Sequence, residues 1–564
     1  MKKPQKPHVA PDPSAAPLAG LPALVSMFSF FYYFRHGGLL LYGDAVAHIN
    51  IARRVFDSQT PGLLQLGTVW LPLPHLLTIP FIFFNALWQN GAGGSLPSMA
   101  AYILGVKGIF RLVRGLLAAG LSRKAGDETN AKTAANVGAW AAAFAYGANP
   151  NLIYMQATAM TESLYLALFI WAVVYFLEFI QSLRTEDANS DSQQAKARAS
   201  LLRCALCLAG AELTRYDGWF LAGIMGTAVL VIALRRWENR GLRSIAAKFL
   251  LAIALAPILW LAYNGAVYGN ALAFANGPYS AKAIEQRVAA PNPALHSVGV
   301  AAVYFMKSAQ LNMADGNWGR LWLAAALVTL WVTVLWKLRA QSAAMLLLWI
   351  PLPFYAWSIA YGSVPLHVYT WWPFVAFNQR YGLQLLPMFA VSAGMLAAFV
   401  YLLGAGGRHA AKMVALLAAL MVGSYASVWK AAPLCLQEAQ KNWDIRSPLN
   451  AAVQRVVARL PRNSLYLMDL GEHVGIMEQA GIPLRQVVNN ENHRAWMRPT
   501  DPEGLWERTL ANPSRYVDFV IVFDGDAVDK AANLTGLTEL MELHSTGQPR
   551  ARIFATHAAP NQSR

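Results

Sequence analysis

Charged residues are scarce in this sequence. Only 13% of its 564 residues are Asp, Glu, Lys or Arg, whereas 56% are apolar. A soluble chain of this length cannot hide so much apolar surface in one core, so a water-soluble globular protein is excluded. Alternating ten-residue segments of the kind found in membrane β-barrels are also missing, which leaves helices as the expected spanning element.

Cysteine is equally rare, with three residues in the chain: Cys204, Cys207 and Cys435. They provide neither a disulfide framework nor a zinc ligand set, so we interpret them as packing residues. The formal charge of +16 would suit a nucleic-acid partner. The basic residues lie in short loops between apolar runs rather than in one patch, however, so no nucleic-acid partner is expected.

Apolar runs of about 20 residues recur along the chain, and each is long enough to cross a hydrocarbon layer of about 30 Å as a helix. They predict an all-α polytopic membrane protein with about eleven transmembrane helices. The predicted spans lie near residues 15–34, 100–122, 134–150, 161–181, 201–216, 218–234, 247–268, 319–338, 342–361, 381–404 and 410–430.

The loops on the amino-terminal side of these spans carry most of the Lys and Arg, for example at 123–124, 235–248 and 408–412. By the positive-inside rule that side is the cytoplasm, and the opposite side is the periplasm if the membrane is a bacterial inner membrane. The apolar segment 73–90 would invert this pattern if it crossed the membrane. We therefore expect it to form a juxtamembrane or re-entrant helix in the first outer loop.

Three basic residues interrupt the second predicted span. Lys107, Arg111 and Arg114 are spaced so that they share one helical face. Such residues either extend towards the membrane surface along an inward polar face or bind a ligand.

The sequence becomes polar from about residue 432. Short β-type runs at 464–469, 518–523 and 551–556 alternate with helical stretches, which predicts a small α/β domain. The expected organisation is a cytoplasmic tail (1–14), a transmembrane domain (15–431) and an extracytoplasmic α/β accessory domain (432–564).

The first outer loop contains YGDAVAHINIARRVFDS, with Asp44 directly after the first span and His48 one helical turn later. Residues four apart share a helical face. A partly buried carboxylate at the membrane surface is a suitable general base because burial raises its basicity. The structural alternative for Asp44 is a helix cap.

Other charged residues are predicted to lie at the same side of the membrane as Asp44. Glu162 begins a span, where compensation of the helix dipole is the alternative to a functional role. Arg215 and Asp217 lie in an apolar hairpin and either neutralise each other or serve a function. Arg380, followed by Tyr381, precedes a span and is either a membrane anchor or a phosphate ligand. Carboxylates and arginines together can take a proton from a hydroxyl and stabilise a departing phosphate.

The order Asp44, IARRVFDS, VWLPLPHLL, the Thr161-Glu162 step, TRYDGW and RYGLQLLP resembles the GT-C superfamily of membrane glycosyltransferases. It is similar to the branch that holds protein O-mannosyltransferases and the lipid A aminoarabinose transferase. The resemblance covers about residues 20 to 400. It departs from many relatives in having Asp44-Ala45 where they have two adjacent acids.

This resemblance implies transfer of a sugar, mannose or similar, from a polyprenyl phosphate to an acceptor, in one displacement that inverts the anomeric carbon. It implies that Asp44 is the catalytic base and that Glu162 orients the surroundings of Asp44 or the acceptor. Arg215 and Arg380 match basic positions near the carrier phosphate, and His75 matches a phosphate-contacting loop. The other expected substrate-binding residues are His48, Asp217 and Tyr381.

The expected partners are a polyprenyl-phosphate-linked sugar, a protein, glycan or lipid acceptor, and the lipid bilayer. No cofactor is required on this interpretation, although a divalent cation is used in part of the superfamily. Three alternatives stay open: a transporter, a noncatalytic envelope protein, and a ligase or polymerase of lipid-linked oligosaccharides. A transporter usually has repeated halves with ion sites near the midplane, and neither is evident in the sequence.

Overall fold

The computed structural model describes residues 15–121, 128–184, 190–277, 280–287, 291–335, 339–362, 364–404, 407–492 and 504–556. The predicted cytoplasmic tail, residues 1–14, lies outside the described residues. Helices dominate the rest and form a bundle that carries a small sheet near its carboxyl-terminal end.

The helices of the amino-terminal half are α1 (Ala15–Arg35), α2 (Gly43–Arg54), α3 (Leu73–Thr78), α4 (Asn85–Gln89), α5 (Ala92–Leu121), α6 (Glu128–Gly147), α7 (Pro150–Met155), α8 (Glu162–Ser182), α9 (Asp191–Glu212), α10 (Asp217–Arg235), α11 (Arg240–Tyr268), α12 (Ala273–Asn276) and α13 (Ala281–Arg287). Those that follow are α14 (Val298–Met313), α15 (Gly316–Leu335), α16 (Arg339–Leu348), α17 (Pro351–Tyr361), α18 (Leu386–Leu403), α19 (Arg408–Ala431), α20 (Leu434–Val457), α21 (Gly475–Ala480), α22 (Leu505–Ala511), α23 (Pro513–Tyr516) and α24 (Ala527–Ala531).

Within the described residues, nine helical stretches are long and apolar enough to cross a membrane. The protein is therefore a polytopic integral membrane protein, as the composition predicts. Helices also occupy the two other predicted spans, α6 and α9, with 20 and 22 residues, but these two are less apolar than the nine. Helix α6 begins with the polar residues ETNAK and then continues in small residues, and a Cβ at Gly138 would lie 2.6 Å from the backbone oxygen of Gly394 in α18. Small residues of this kind let two helices approach closely inside a membrane bundle.

The segment 73–90 forms the short helices α3 and α4, joined by a 3₁₀ turn at Ile79–Phe81. The longer of the two has six residues and a length of about 9 Å, which is far too short to cross a bilayer. The prediction that this segment does not span as a helix is confirmed. It lies instead in the connection between α1 and α5, beside α2.

The carboxyl-terminal part contains a five-stranded sheet of β1 (Tyr466–Met468), β2 (Val487–Val488), β3 (Phe519–Phe523), β4 (Thr538–Leu543) and β5 (Ala551–Ala555). The strand order is β2-β1-β3-β5-β4. β1 is parallel to β2 and β3, whereas β5 is antiparallel to β3 and β4. The predicted small α/β unit is confirmed, and β2 and β4 are strands that the sequence did not indicate.

This sheet unit packs directly on the first loop of the bundle. Asn50 of α2 donates a hydrogen bond of 2.7 Å to Glu478 of α21, and Arg446 of α20 donates bonds of 2.7 and 3.0 Å to the backbone oxygens of Leu40 and Leu41. Helix α2 and the residues just before it are thus held from the carboxyl-terminal side.

Candidate active site

The predicted site residues meet at one end of the bundle, which we call the site end. Helix α8 begins there at Glu162, α10 begins at Asp217, and α18 follows a 3₁₀ turn at Gln379–Leu385. That turn fits closely against α14, because a Cβ at Gly382 would lie 2.4 Å from the backbone carbon of Ser308. The absence of a side chain at Gly382 therefore lets the turn carry its arginine into the bundle.

Arg380 is the centre of the site. Its Nη2 lies 2.5 Å from Oδ2 of Asp44, its Nε 3.3 Å from Oε1 of Glu162, and its Nη1 3.6 Å from Oε1 of Glu438. Three carboxylates from α2, α8 and α20 therefore surround one guanidinium. The side chain of Arg380 is only 9% exposed, so the sequence alternative of a surface membrane anchor does not describe its position.

Arg215 forms a second cationic centre, and it shares the carboxylate of Glu162 with Arg380. Its Nη1 lies 3.5 Å from the same Oε1 of Glu162, and its Nε lies 3.4 Å from Oδ1 of Asp217. Its Nη2 donates a hydrogen bond of 2.8 Å to the Tyr355 hydroxyl, which in turn donates one of 3.1 Å to Asp217. The expected neutralisation of Arg215 by Asp217 is present, but Glu162 couples this pair to Arg380.

The ring of Tyr381 contacts both cations. The guanidinium carbons of Arg215 and Arg380 lie 5.1 and 5.3 Å from its centroid. Rings at this distance attract a cation through their negative faces. The two arginines are thus held close together by one carboxylate and one aromatic ring, despite their like charge.

The four carboxylates of the site differ sharply in their access to solvent and lipid. The side chain of Asp44 is 37% exposed, whereas those of Glu162, Asp217 and Glu438 are 1%, 3% and 8% exposed. Asp44 is therefore the carboxylate of this set that an external molecule can reach. The other three act on the arginines from within the protein.

The alternative of a helix cap does not account for the position of Asp44, and Glu162 is not a cap residue either. Helix α2 has Tyr42 as its cap residue and α8 has Thr161, and neither cap has a side-chain hydrogen bond. Asp44 and Glu162 lie in the first turns of these helices with their carboxylates directed to Arg380. Their negative charge still complements the helix dipole, so the two explanations are compatible for Glu162.

His48 and His75 form a buried pair beside this network. Nδ1 of His48 lies 2.9 Å from Nε2 of His75, and the His48 ring lies against Trp70. Burial lowers the pKa of His48 to about 4 and lowers that of His75 well below its ordinary value, so both rings are neutral near pH 7. His75 has no exposed surface and reaches the site only through His48.

Glu438 is a site residue that the sequence interpretation missed. It lies in α20, beyond the boundary at 432 where the accessory domain was expected to begin. A signal was nevertheless present, because Glu438 is four residues after Leu434 and next to Ala439, on the apolar face of its helix. Tyr355 was also missed, and nothing in its span distinguishes it from other aromatic residues.

Within the described residues, no group of three or more His, Cys, Asp or Glu side chains is arranged to hold a metal ion. Two acidic residues in a loop of the α/β unit have structural partners. Asp526 caps α24 by accepting a hydrogen bond from the backbone of Asp529, and Asp524 pairs with Arg550. Burial raises the pKa of Asp526 to about 6.

Comparison with solved structures identifies the fold of this arrangement. ArnT from Cupriavidus metallidurans bound to undecaprenyl phosphate matches with a TM-score of 0.53 and 14% identity, over 97% of this chain and 99% of that one. The chain has the GT-C fold. The apo state of the same ArnT gives a TM-score of 0.52 and 13% identity, over 96% of this chain and 98% of that one.

No family model matches this sequence, and the comparison with curated proteins finds no match. The GT-C fold predicted from short segments of the sequence is therefore confirmed by structure alone. The match also extends further than the predicted range of residues 20 to 400, since it covers 97% of the chain and so includes the α/β unit.

Proposed function

We propose that this chain is a membrane glycosyltransferase that moves a sugar from a polyprenyl-phosphate donor to an acceptor at the site end of the bundle. The fold supports this class of enzyme, and a similar structure was solved with undecaprenyl phosphate bound. The observation that carries the proposal is the accessible carboxylate of Asp44, held against Arg380 while three buried acids fix the two arginines.

The arginines are the proposed phosphate site. Planar guanidinium groups bind phosphate oxygens through paired hydrogen bonds, and two of them stabilise the charge that develops as the phosphate leaves. Each terminal nitrogen of Arg380 faces a carboxylate, Nη2 that of Asp44 and Nη1 that of Glu438. A donor phosphate would therefore replace the most exposed of these, Asp44, at Nη2 of Arg380.

That exchange gives Asp44 its proposed role. Once the donor phosphate occupies Arg380, the Asp44 carboxylate is released to accept the proton of the acceptor hydroxyl. The acceptor oxygen forms its bond to the anomeric carbon as the bond from that carbon to the phosphate oxygen breaks, with inversion. The electron pair of the broken bond leaves with the polyprenyl phosphate, and the proton remains on Asp44.

The buried residues hold this geometry in place. Glu162 contacts both arginines through one oxygen, so it keeps their guanidinium groups at a fixed separation. Asp217 and Tyr355 fix the orientation of Arg215, and Glu438 does the same for Arg380. His48 follows Asp44 by one turn of α2, and its bond to His75 anchors the wall of the site beneath the base.

The membrane and acceptor belong to the same proposal. The proposed location is a bacterial inner membrane with the site end in the periplasm, and the distribution of Lys and Arg supports this orientation. The sugar is mannose or a similar one, and the acceptor is a protein, glycan or lipid hydroxyl. The α/β unit is the proposed determinant of acceptor preference, because it packs on α2 beside Asp44.

A defined donor tests the proposal. Purified protein is given a series of polyprenyl-phosphate sugars, and released polyprenyl phosphate is measured together with donor binding. We expect release that requires an acceptor and is lost in Asp44→Asn while the donor still binds. Transport of the donor without cleavage, or equal release by wild type and Asp44→Asn, would contradict it. Release of an oligosaccharide but not of a single sugar would favour the ligase alternative.

A further inference from the structure

A hairpin connects the two candidate spans Ser342–Tyr361 and Gln379–Leu403 at the site end. His367 and Phe377 pair through backbone hydrogen bonds of 3.1 and 3.3 Å, which close the hairpin at its base. Its tip, which has the sequence WWPFV, consists of residues 371–375. We call these five residues the aromatic tip.

Apolar side chains of the aromatic tip are exposed. Trp372 and Phe374 have exposed fractions of 52% and 67%, and Val375 beside them is exposed as well. Contiguous apolar surface of this kind marks a contact with a membrane or with a partner molecule. The depth of the tip relative to the spans and the surface that it continues indicate which of the two covers it.

The aromatic tip lies beside the outer turns of a span rather than above it. The hydroxyl of Tyr304 in α14 donates a hydrogen bond of 2.7 Å to the backbone oxygen of Trp372. The next residue of α14, Phe305, stacks on Tyr355 with ring centres 4.6 Å apart. Tyr355 lies six residues before Tyr361, the end of its span, which is about 9 Å along the helix. The tip therefore lies at the level of the last two turns of this span.

The backbone of the tip is suited to this depth. The amide of Trp371 donates a hydrogen bond of 3.0 Å to the carbonyl oxygen of Val368, and the amide of Phe374 donates one of 2.6 Å to that of Trp371. Pro373 has no N–H group to satisfy. Bonded backbone groups lower the cost of entering a region where water is scarce.

The tip continues the apolar surface of the neighbouring helices. Trp357 and Tyr361 are exposed on α17, and Val303 is exposed on α14 beside the tyrosine that bonds to the tip. The amide of His296, just before α14, donates a hydrogen bond of 2.9 Å to the backbone oxygen of Ala360, so α14 links the end of α17 to the tip. Exposed apolar residues of a span face lipid, because the bilayer core contains no water. The surface of the tip is therefore continuous with a surface that lipid covers.

We propose that the aromatic tip inserts into the leaflet on the site side, with Trp372 and Phe374 at the boundary between head groups and acyl chains. Trp is enriched at this boundary because its ring is apolar and its N–H is polar. Nζ of Lys307 lies 5.9 Å from the centre of the Trp371 ring, so an amino group at the head-group level accompanies the apolar rings. Insertion holds the turn that carries Arg380, three residues after the base of the hairpin, at the membrane surface.

Spin labels measure the depth of the tip in the full chain, reconstituted as single chains in nanodiscs of phosphatidylcholine. Phe374→Cys carries the label together with Cys207→Ala, because the other two cysteines, Cys204 and Cys435, are buried. Collisions of the label with oxygen, which concentrates among acyl chains, are compared with its collisions with a water-soluble nickel chelate. We expect a several-fold higher ratio of oxygen to nickel collisions there than at the control Leu540→Cys, an exposed apolar position on β4.

Two results would overturn the proposal. Equal ratios at residues 374 and 540 would place the tip in water. A label at residue 374 that neither reagent reaches would show that protein, rather than lipid, covers the tip. Trp372→Cys should give the same high ratio as Phe374→Cys, and it provides the measurement if the first variant does not fold.

The insertion of the tip is independent of the proposed transferase activity, because its depth is measured without a donor. A lipid-exposed tip in a protein with no transfer activity would overturn the proposed function alone. A water-exposed tip in a protein that transfers a sugar would overturn the insertion alone.

Discussion

Arg380 and Asp44 are 336 positions apart in the chain, and the Nη2 of one lies 2.5 Å from the carboxylate of the other. This contact closes the site between the loop after α1 and the turn before α18. It is also the contact that the proposed reaction must open, because a donor phosphate and Asp44 compete for the same guanidinium nitrogen.

Replacement of Asp44 by Asn should remove the proposed base while leaving the shape of α2 unchanged. We expect turnover to fall by about 10²- to 10⁴-fold, the usual contribution of a general base, with little change in donor affinity. Release of polyprenyl phosphate and donor binding measure the two effects. Asp444→Asn, an exposed acid of α20, is the matched control and should retain activity. A fall in binding equal to the fall in turnover would argue against the role of a base.

The contact between Arg380 and Glu438 predicts that substitutions of these two residues have non-additive effects on the free energy of unfolding. Arg380→Leu leaves buried carboxylates without their cation, which costs about 3–5 kcal/mol. Addition of Glu438→Gln should recover part of this loss, since it neutralises one stranded charge, with a coupling of about 0.5–3 kcal/mol. Thermal unfolding in detergent measures the cycle. Arg320→Leu, at an exposed arginine of α15, provides the control. Strict additivity of the two changes would show that the pair does not interact.

Glu478 predicts a pH dependence of stability. Burial raises its pKa from 4.5 to about 8, so between these values the folded protein binds a proton that the unfolded chain has lost. Stability from this residue is complete below about pH 4.5 and is lost as the pH rises to about 8. Glu478→Gln should therefore raise the unfolding temperature relative to wild type at pH 8 but not at pH 5. Glu539→Gln, on the exposed strand β4, should show no such change.

The contact between His48 and His75 predicts that loss of one ring lowers the stability of the protein. Both rings are neutral near pH 7, so the charge of the protein does not change. His75→Phe leaves Nδ1 of buried His48 without its partner, and an unsatisfied polar group of this kind costs about 1–3 kcal/mol. The same substitution at exposed His409 should have almost no effect. Unfolding temperatures of the two variants provide the comparison. Equal temperatures for both would show that the bond between the rings contributes little.

The helical bundle could be predicted from the sequence because hydropathy and helix length depend on neighbouring residues alone. The same holds for the positions of Asp44, Glu162, Arg215 and Arg380 at one end, since each borders a span. Their mutual contacts could not be predicted, because these depend on how the helices pack. Strand β2 was missed because it has two residues, and β4 was missed because most of its side chains are exposed.

Glu438 shows why the site itself was only partly predictable. The change in composition near residue 432 marks the end of the apolar spans, and it suggested that everything beyond was accessory. The site crosses that boundary, because Glu438 of α20 contacts Arg380. The signal available in the sequence was an acidic residue on an apolar helical face, and that signal does not depend on where the composition changes.

The attachment of α2 to the carboxyl-terminal unit has a consequence for the timing of assembly. Synthesis delivers the helices up to α18 before α20 and α21, yet Glu438, Arg446 and Glu478 of these late segments brace Arg380 and the helix that bears Asp44. A nascent chain that has already inserted its apolar helices thus still lacks the late contacts of the proposed active site. On the proposed function, turnover can begin only after the last quarter of the polypeptide has folded back onto the first loop.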